Sequence, residues 1–212
     1  MLIIICSYIF KNKMSIIFFN IFTDHSSYTR CMNDLRKIKR QNLLIYITGY
    51  IAVTVLGTLL HFVYGWSSSN MLVGLFAAVN ESTWEHMKLA FYPMLIFSVI
   101  FMVINYKQPS RRRTLPVGCT AANLAESTLL ATWLIPVMFY TYSGILGFNV
   151  AFIDIAIFFI SVLFAFIHLW KLQNNDDCGC YGFLIIVVVQ LIIFFVFTSK
   201  PPALGLFIPP LG

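Results

Sequence analysis

Leu43–Trp66 reads LLIYITGYIAVTVLGTLLHFVYGW, and its reading decides the fold. No Asp, Glu, Lys or Arg interrupts it. As a helix rising ~1.5 Å per residue it would measure ~36 Å. That exceeds the ~30 Å of hydrocarbon in a bilayer, so the stretch predicts a membrane-crossing helix. The rest of the chain agrees. Hydrophobic residues make up 59% of the 212 and charged residues 10%, against ~45–50% and ~25% in soluble domains. The excess belongs in lipid, and no separate soluble domain is expected.

Downstream, four more segments have the length and apolarity to cross: 88–106, 117–140, 150–170 and 183–198. Residues 71–79 form an apolar run too short to span and broken by Gly74, which predicts a short interfacial or re-entrant helix. Pro93 and Pro136 fall inside spans and should kink them. Ala121 and Ala125 form a small-xxx-small pair suited to close helix packing. The expected fold is an all-α, polytopic bundle of five spans, comprising a single transmembrane domain over 32–202 and a short apolar tail over 203–212.

Upstream, residues 1–31 fit poorly. Lys11, Asn12 and Lys13 divide two apolar pieces, neither of which can span, and no signal-peptide cleavage site follows. Met32 opens a more conventional start, with Arg36, Lys37, Lys39 and Arg40 before the first span. Residues 1–31 are therefore read as an extension, with an interfacial anchor as the rival reading.

The net charge of +6 is unevenly spread. With the segment before Leu43 inside, the inner side holds Arg30, Arg36, Lys37, Lys39, Arg40, Lys107, Arg111, Arg112, Arg113 and Lys171, and the outer side only Lys88 and Lys200. Such clustering in short loops marks orientation in a cell membrane, not nucleic-acid binding. The expected partners are the lipid bilayer and, for a homo-oligomer, further copies of the chain. Arg111-Arg112-Arg113 suits contact with anionic head groups. The five cysteines form no disulfide framework by spacing. Asp176-Asp177-Cys178-Gly179-Cys180 resembles a metal or redox turn but lacks a second cysteine pair, and an inner location favours reduced thiols.

The stretch Asn80-Glu81-Ser82-Thr83-Trp84-Glu85-His86-Met87-Lys88 then falls on the outer side. So dense a polar cluster beside apolar spans is a candidate site. Glu81 and Glu85 are four apart and share a helix face if the helix includes both. His61 near the outer end of the first span and Asp154 one turn into the fourth are expected to approach them. Glu126, deeper in the third span beside Asn123, Ser127 and Thr128, completes the set. Histidine and carboxylate ligands suit zinc or another divalent cation, and His61, His86 and Asp154 are the candidate ligands. Glu85 and His86 are the candidates for acid–base work.

Each residue also has a structural explanation. Ser82-x-x-Glu85 is a capping box, Asn80 is an alternative cap, and Glu81 suits a positive helix N-terminus. Trp84 fits an interfacial aromatic belt. His61 can be hydrogen-bonded within the bundle, and Asp154 can cap its helix. Glu126 can be a neutral acid bonded to Asn123 or a hydroxyl, and His168 can be an interfacial residue near the inner end of its span.

The run Leu56-Gly57-Thr58-Leu59-Leu60-His61, then Trp66, the Asn80 to Lys88 string, Tyr140-Thr141-Tyr142-Ser143-Gly144 and Asp154 resemble a bacterial family of small polytopic membrane proteins, a domain of unknown function. The resemblance covers roughly 36–202 and implies a shared site, with no activity attached. The family has a longer polar tail than Pro201-Pro202-Ala203 and its successors. A weaker likeness, through Ser82, Asp154, His61 and His86, is to ceramidase-like membrane hydrolases, but no histidine pair stands four apart.

The favoured reading is an outward polar pocket, using Asn80, Glu81, Glu85, His86, His61, Asp154 and Glu126, for a small polar ligand, a cation or a lipid head group. The alternatives are a metal-dependent membrane hydrolase with Glu85 as base, a small transporter with Glu126 as proton carrier, and a structural protein whose cluster caps a helix.

Overall fold

The computed structural model describes residues 25–107, 115–175 and 177–209, with side chains from Leu43. The expectations for residues 1–24 and for Arg111-Arg112-Arg113 lie outside the described residues. Six α-helices and one 3₁₀ turn, and no strand, occur among those described: α1 His25–Trp66, α2 Met71–Gly74, α3 Thr83–Lys107, α4 Val117–Leu146, α5 Ala151–Asn174, α6 Gly182–Ser199, then the 3₁₀ turn Gly205–Phe207. Five of these contain stretches long and apolar enough to cross a membrane: Leu43–Trp66, Thr83–Tyr106, Val117–Leu146, Ala151–Asn174 and Gly182–Ser199.

Helix bounds differ from expectation where polar residues continue a helix. α1 begins well before Leu43, and α3 begins at Thr83 and not at Lys88. Of 71–79 only the first four residues are helical. Asn70 caps them by accepting from the Leu72 amide at 2.9 Å, and Ser68 and Ser69, both at positive φ, turn the chain before the cap. Pro93 and Pro136 lie within α3 and α4.

The chain divides into two compact units, Met1–Ile47 and Thr48–Gly212. The described part of the first is the start of α1. In the second, α4 packs against α3, α5 and α6. Close approach depends on two glycines of α1, eight residues apart and so on nearly one face. A Cβ at Gly49 would meet the Phe97 ring at 2.3 Å and Phe166 at 2.8 Å, and one at Gly57 would meet the Leu89 carbonyl oxygen and Phe158, each at 2.5 Å. The expected pair on α4 is shifted by one position: Ala122 and Ala125 are buried, and Ala121 only half so.

Trp84 is not in an exposed belt. It lies buried with its ring centroid 4.8 Å from those of both Phe194 and Phe207, in a cluster with Met87, Phe91 and Tyr92. The apolar tail thus folds back onto α3. Elsewhere the helices expose large apolar side chains, among them Ile51, Val55, Phe152, Ile185 and Val188. Apolar exposure on this scale matches a lipid solvent better than water.

Candidate metal centre

Two of the three expected metal ligands, His61 and His86, come together, and Glu81 stands where Asp154 was expected. His61 is on the last turns of α1, Glu81 is in the loop before α3, and His86 is in the first turn of α3. Glu81 Oε1 lies 3.8 Å from His61 Nε2, and Glu81 Oε2 lies 3.5 Å from His86 Nε2. One donor atom from each residue falls within 4.8 Å of the other two. Ligands ~2.1 Å from a tetrahedral zinc stand ~3.4 Å apart, so closing the set needs small side-chain rotations.

The local chain holds two of these donors. Ser82 precedes α3, and its hydroxyl accepts from the Glu85 amide at 3.4 Å. The carbonyl of Ser82 lies 2.9 Å from His86 Nδ1. A carbonyl only accepts, so Nδ1 carries the proton and Nε2 presents its lone pair, the usual outer support of a metal-binding imidazole. Asn80 Oδ1 accepts from the Ser82 amide at 2.9 Å and turns the chain beside Glu81. Asn80 is therefore a turn residue. His61 Nδ1 is buried with no partner among the described residues. Glu81 is exposed, which leaves one side of the cluster open.

Glu85 has another task. The capping box is half formed, because the Ser82 amide bonds Asn80 and not the Glu85 carboxylate. Glu85 Oε2 instead accepts from the Val79 amide at 2.9 Å and lies 2.6 Å from Lys88 Nζ. Lys88 is fully buried and also donates to the Gly74 carbonyl at 2.8 Å and to Thr198 Oγ1 at 3.0 Å. All three ammonium protons are used. Counting Lys88 only as an outer-side charge missed this. The signal available was the Glu-x-x-Lys spacing, which puts both side chains on one helix face.

Asp154 is outside the three-residue group. It accepts from the Tyr142 hydroxyl, which itself accepts from the Val150 amide at 3.2 Å, so it ties α4 to α5. No side chain caps α5. Glu126 is elsewhere too. Ser98 and Thr128 hydroxyls lie 3.5 Å apart and fix the register of α3 against α4. Ser98 is ~18 Å along α3 from His86 at ~1.5 Å per residue, and Glu126 stands toward the start of α4, beyond that level. Its carboxylate pairs with His168 Nε2 at 2.9 Å, while Asn123 is engaged by Asp177 and Gly179. His168 is thus a partner of Glu126.

No curated protein and no solved structure matches the chain. A family of unknown function, DUF6512, matches residues 33–211, starting beside Met32 and running past Pro202 through the apolar tail. The chain belongs to that family.

Proposed function

We propose that this is a multi-pass membrane protein that binds a divalent metal ion, zinc by its donor chemistry, through His61, Glu81 and His86 at its outer face. The observation that carries the reading is the convergence of two imidazole nitrogens and a carboxylate within 4.8 Å, with the His86 tautomer set for ligation. Two histidines and a carboxylate suit zinc and leave a fourth position for water or a ligand. The orientation rests on the Lys/Arg asymmetry and the membrane location on five long apolar helices.

Ion binding is favoured over hydrolysis. A hydrolase would recruit Glu85 as base, but its carboxylate serves Lys88 and the Val79 amide. The test is elemental analysis of protein purified in mild detergent and exposed to zinc. The full chain should retain one zinc, and His61→Ala, Glu81→Gln and His86→Ala should each lose it while remaining folded. Asp154→Asn should retain it. A folded protein that holds no zinc, or variants that hold as much as the parent, would overturn the reading.

A further inference from the structure

A second cluster of reactive groups lies toward the start of α4. Cys119, Asn123 and Glu126 stand at i, i+4 and i+7, one face of the helix. All three meet the chain between or within α5 and α6. Cys119 is disulfide-bonded to Cys178, against the expectation of reduced thiols. Spacing could not show this pair, because 59 residues separate its members. Asn123 donates to the Asp177 carbonyl at 2.9 Å and accepts from the Gly179 amide at 2.6 Å. Gly179 fits so closely that a Cβ there would stand 2.7 Å from Glu126 Oε2.

The two bridged sulfurs are not equivalent. Cys178 is exposed, whereas Cys119 is buried with the Tyr181 hydroxyl 3.7 Å from its sulfur. Gly118 admits the Tyr181 ring, since a Cβ at that position would meet the hydroxyl oxygen at 3.0 Å. Cys180, two residues from Cys178, is an exposed free thiol. An attackable sulfur, a leaving sulfur beside a hydroxyl donor and a spare thiol are the components of thiol–disulfide exchange.

We propose that Cys119–Cys178 is a thiol–disulfide exchange site whose co-reactant is a dithiol or glutathione-class thiol. The incoming thiolate bonds to Cys178 Sγ, the Cys119–Cys178 bond breaks, and Cys119 leaves as a thiolate that accepts a hydrogen bond from Tyr181. With a dithiol, the second reagent thiolate attacks its own sulfur in the mixed disulfide and expels Cys178. Both protein thiolates take protons from water, and two electrons pass from the dithiol to the bridge. With glutathione, Cys180 attacks Cys178 Sγ, forms a Cys178–Cys180 disulfide and expels the reagent thiolate, so the bridge changes partner with no net electron transfer and Cys119 is left as the free thiol. Opening removes the covalent tie on 177–181, leaving that segment on its Asn123 hydrogen bonds over the Glu126–His168 pair. The site stands independently of the metal reading; it needs the thiol-rich compartment, the one in which the Lys/Arg asymmetry would put this end of the helices.

The test uses the full chain in mild detergent, titrated with mixtures of reduced and oxidised glutathione, then alkylated and peptide-mapped. The bridge should open and re-form reversibly while far-ultraviolet circular dichroism stays native. Glutathione should be found on Cys178 and not on Cys119. Cys180→Ser should raise that adduct several-fold. Tyr181→Phe should slow opening by about fivefold, the worth of one hydrogen bond. A bridge that opens only on unfolding, or equal adducts on both sulfurs, would overturn the proposal, as would opening in Tyr181→Phe at the parent rate.

Discussion

Lys88 Nζ lies 2.6 Å from Glu85 Oε2, and both side chains are shut away from solvent. This pair separates the polar residues around the start of α3 into two sets. Glu85 and Lys88 turn inward and, through the Val79 amide, the Gly74 carbonyl and Thr198, tie α2, the loop before α3 and α6 to one point. Glu81 and His86 keep solvent access and meet His61. The inward pair holds the loop that carries Glu81, so it positions the proposed metal site without touching it.

Breaking the pair on one side should be costly. Lys88→Met leaves a carboxylate buried without its cation, a change that costs about 3–5 kcal/mol. The double variant Glu85→Gln with Lys88→Met removes both charges and should recover much of the loss. Denaturant titration of the detergent-solubilised protein reads both. A single variant as stable as the parent would show that the pair contributes nothing to folding.

Gly57 tests the packing of α1. A side chain there would drive into the Leu89 carbonyl oxygen, which cannot rotate away. Gly57→Leu should destabilise by about 1–3 kcal/mol through overpacking. Gly65 has nothing within 4 Å of a built Cβ, so Gly65→Ala is the control and should be neutral or mildly stabilising. Equal effects at the two positions in thermal unfolding would argue against close packing at Gly57.

The helices were legible because apolar runs of this length leave few other folds open to the chain. The contacts were legible only where spacing within one helix creates them. Ser82 before α3 and its bond to the Glu85 amide followed from the local motif. Pairing His61 with Glu81 rested on both lying near one membrane face, a statement about depth and not about neighbours. The same reasoning could not name the partners of Asp154 and Glu126, because depth does not say which way a helix face turns. Asp154 turns to Tyr142, and Glu126 turns to His168. Trp84 read as interfacial because tryptophan is amphipathic, but the returning tail supplies Phe207 to cover it.

Zinc binding at the proposed centre should depend on pH with a definite sign. Both imidazoles must be neutral to ligate, so protons compete with the metal. Lowering the pH should therefore weaken zinc binding. Calorimetric titration at a series of pH values checks it. Binding in His86→Ala should be weak throughout and nearly flat. A pH-independent affinity in the full chain would mean that the imidazoles are not ligands.

The proposed orientation makes opposite demands on the two ends of the helices. Ser68, exposed between α1 and α2, belongs with His61, Glu81 and His86, and Asn175, exposed after α5, belongs with the disulfide. The measurement uses intact cells, an impermeant maleimide and a background with Cys6, Cys31 and Cys180 replaced by serine, keeping the bridge. Ser68→Cys should label without permeabilisation and Asn175→Cys only after it. The opposite pattern would put His61, Glu81 and His86 in the cytoplasm and the Cys119–Cys178 bridge in an oxidising compartment. Disulfides persist there as structural links, whereas in the cytosol they are transient and catalytic or redox-sensing. Labelling therefore decides the orientation, and it also decides whether the bridge meets the reducing thiols that its exchange chemistry requires.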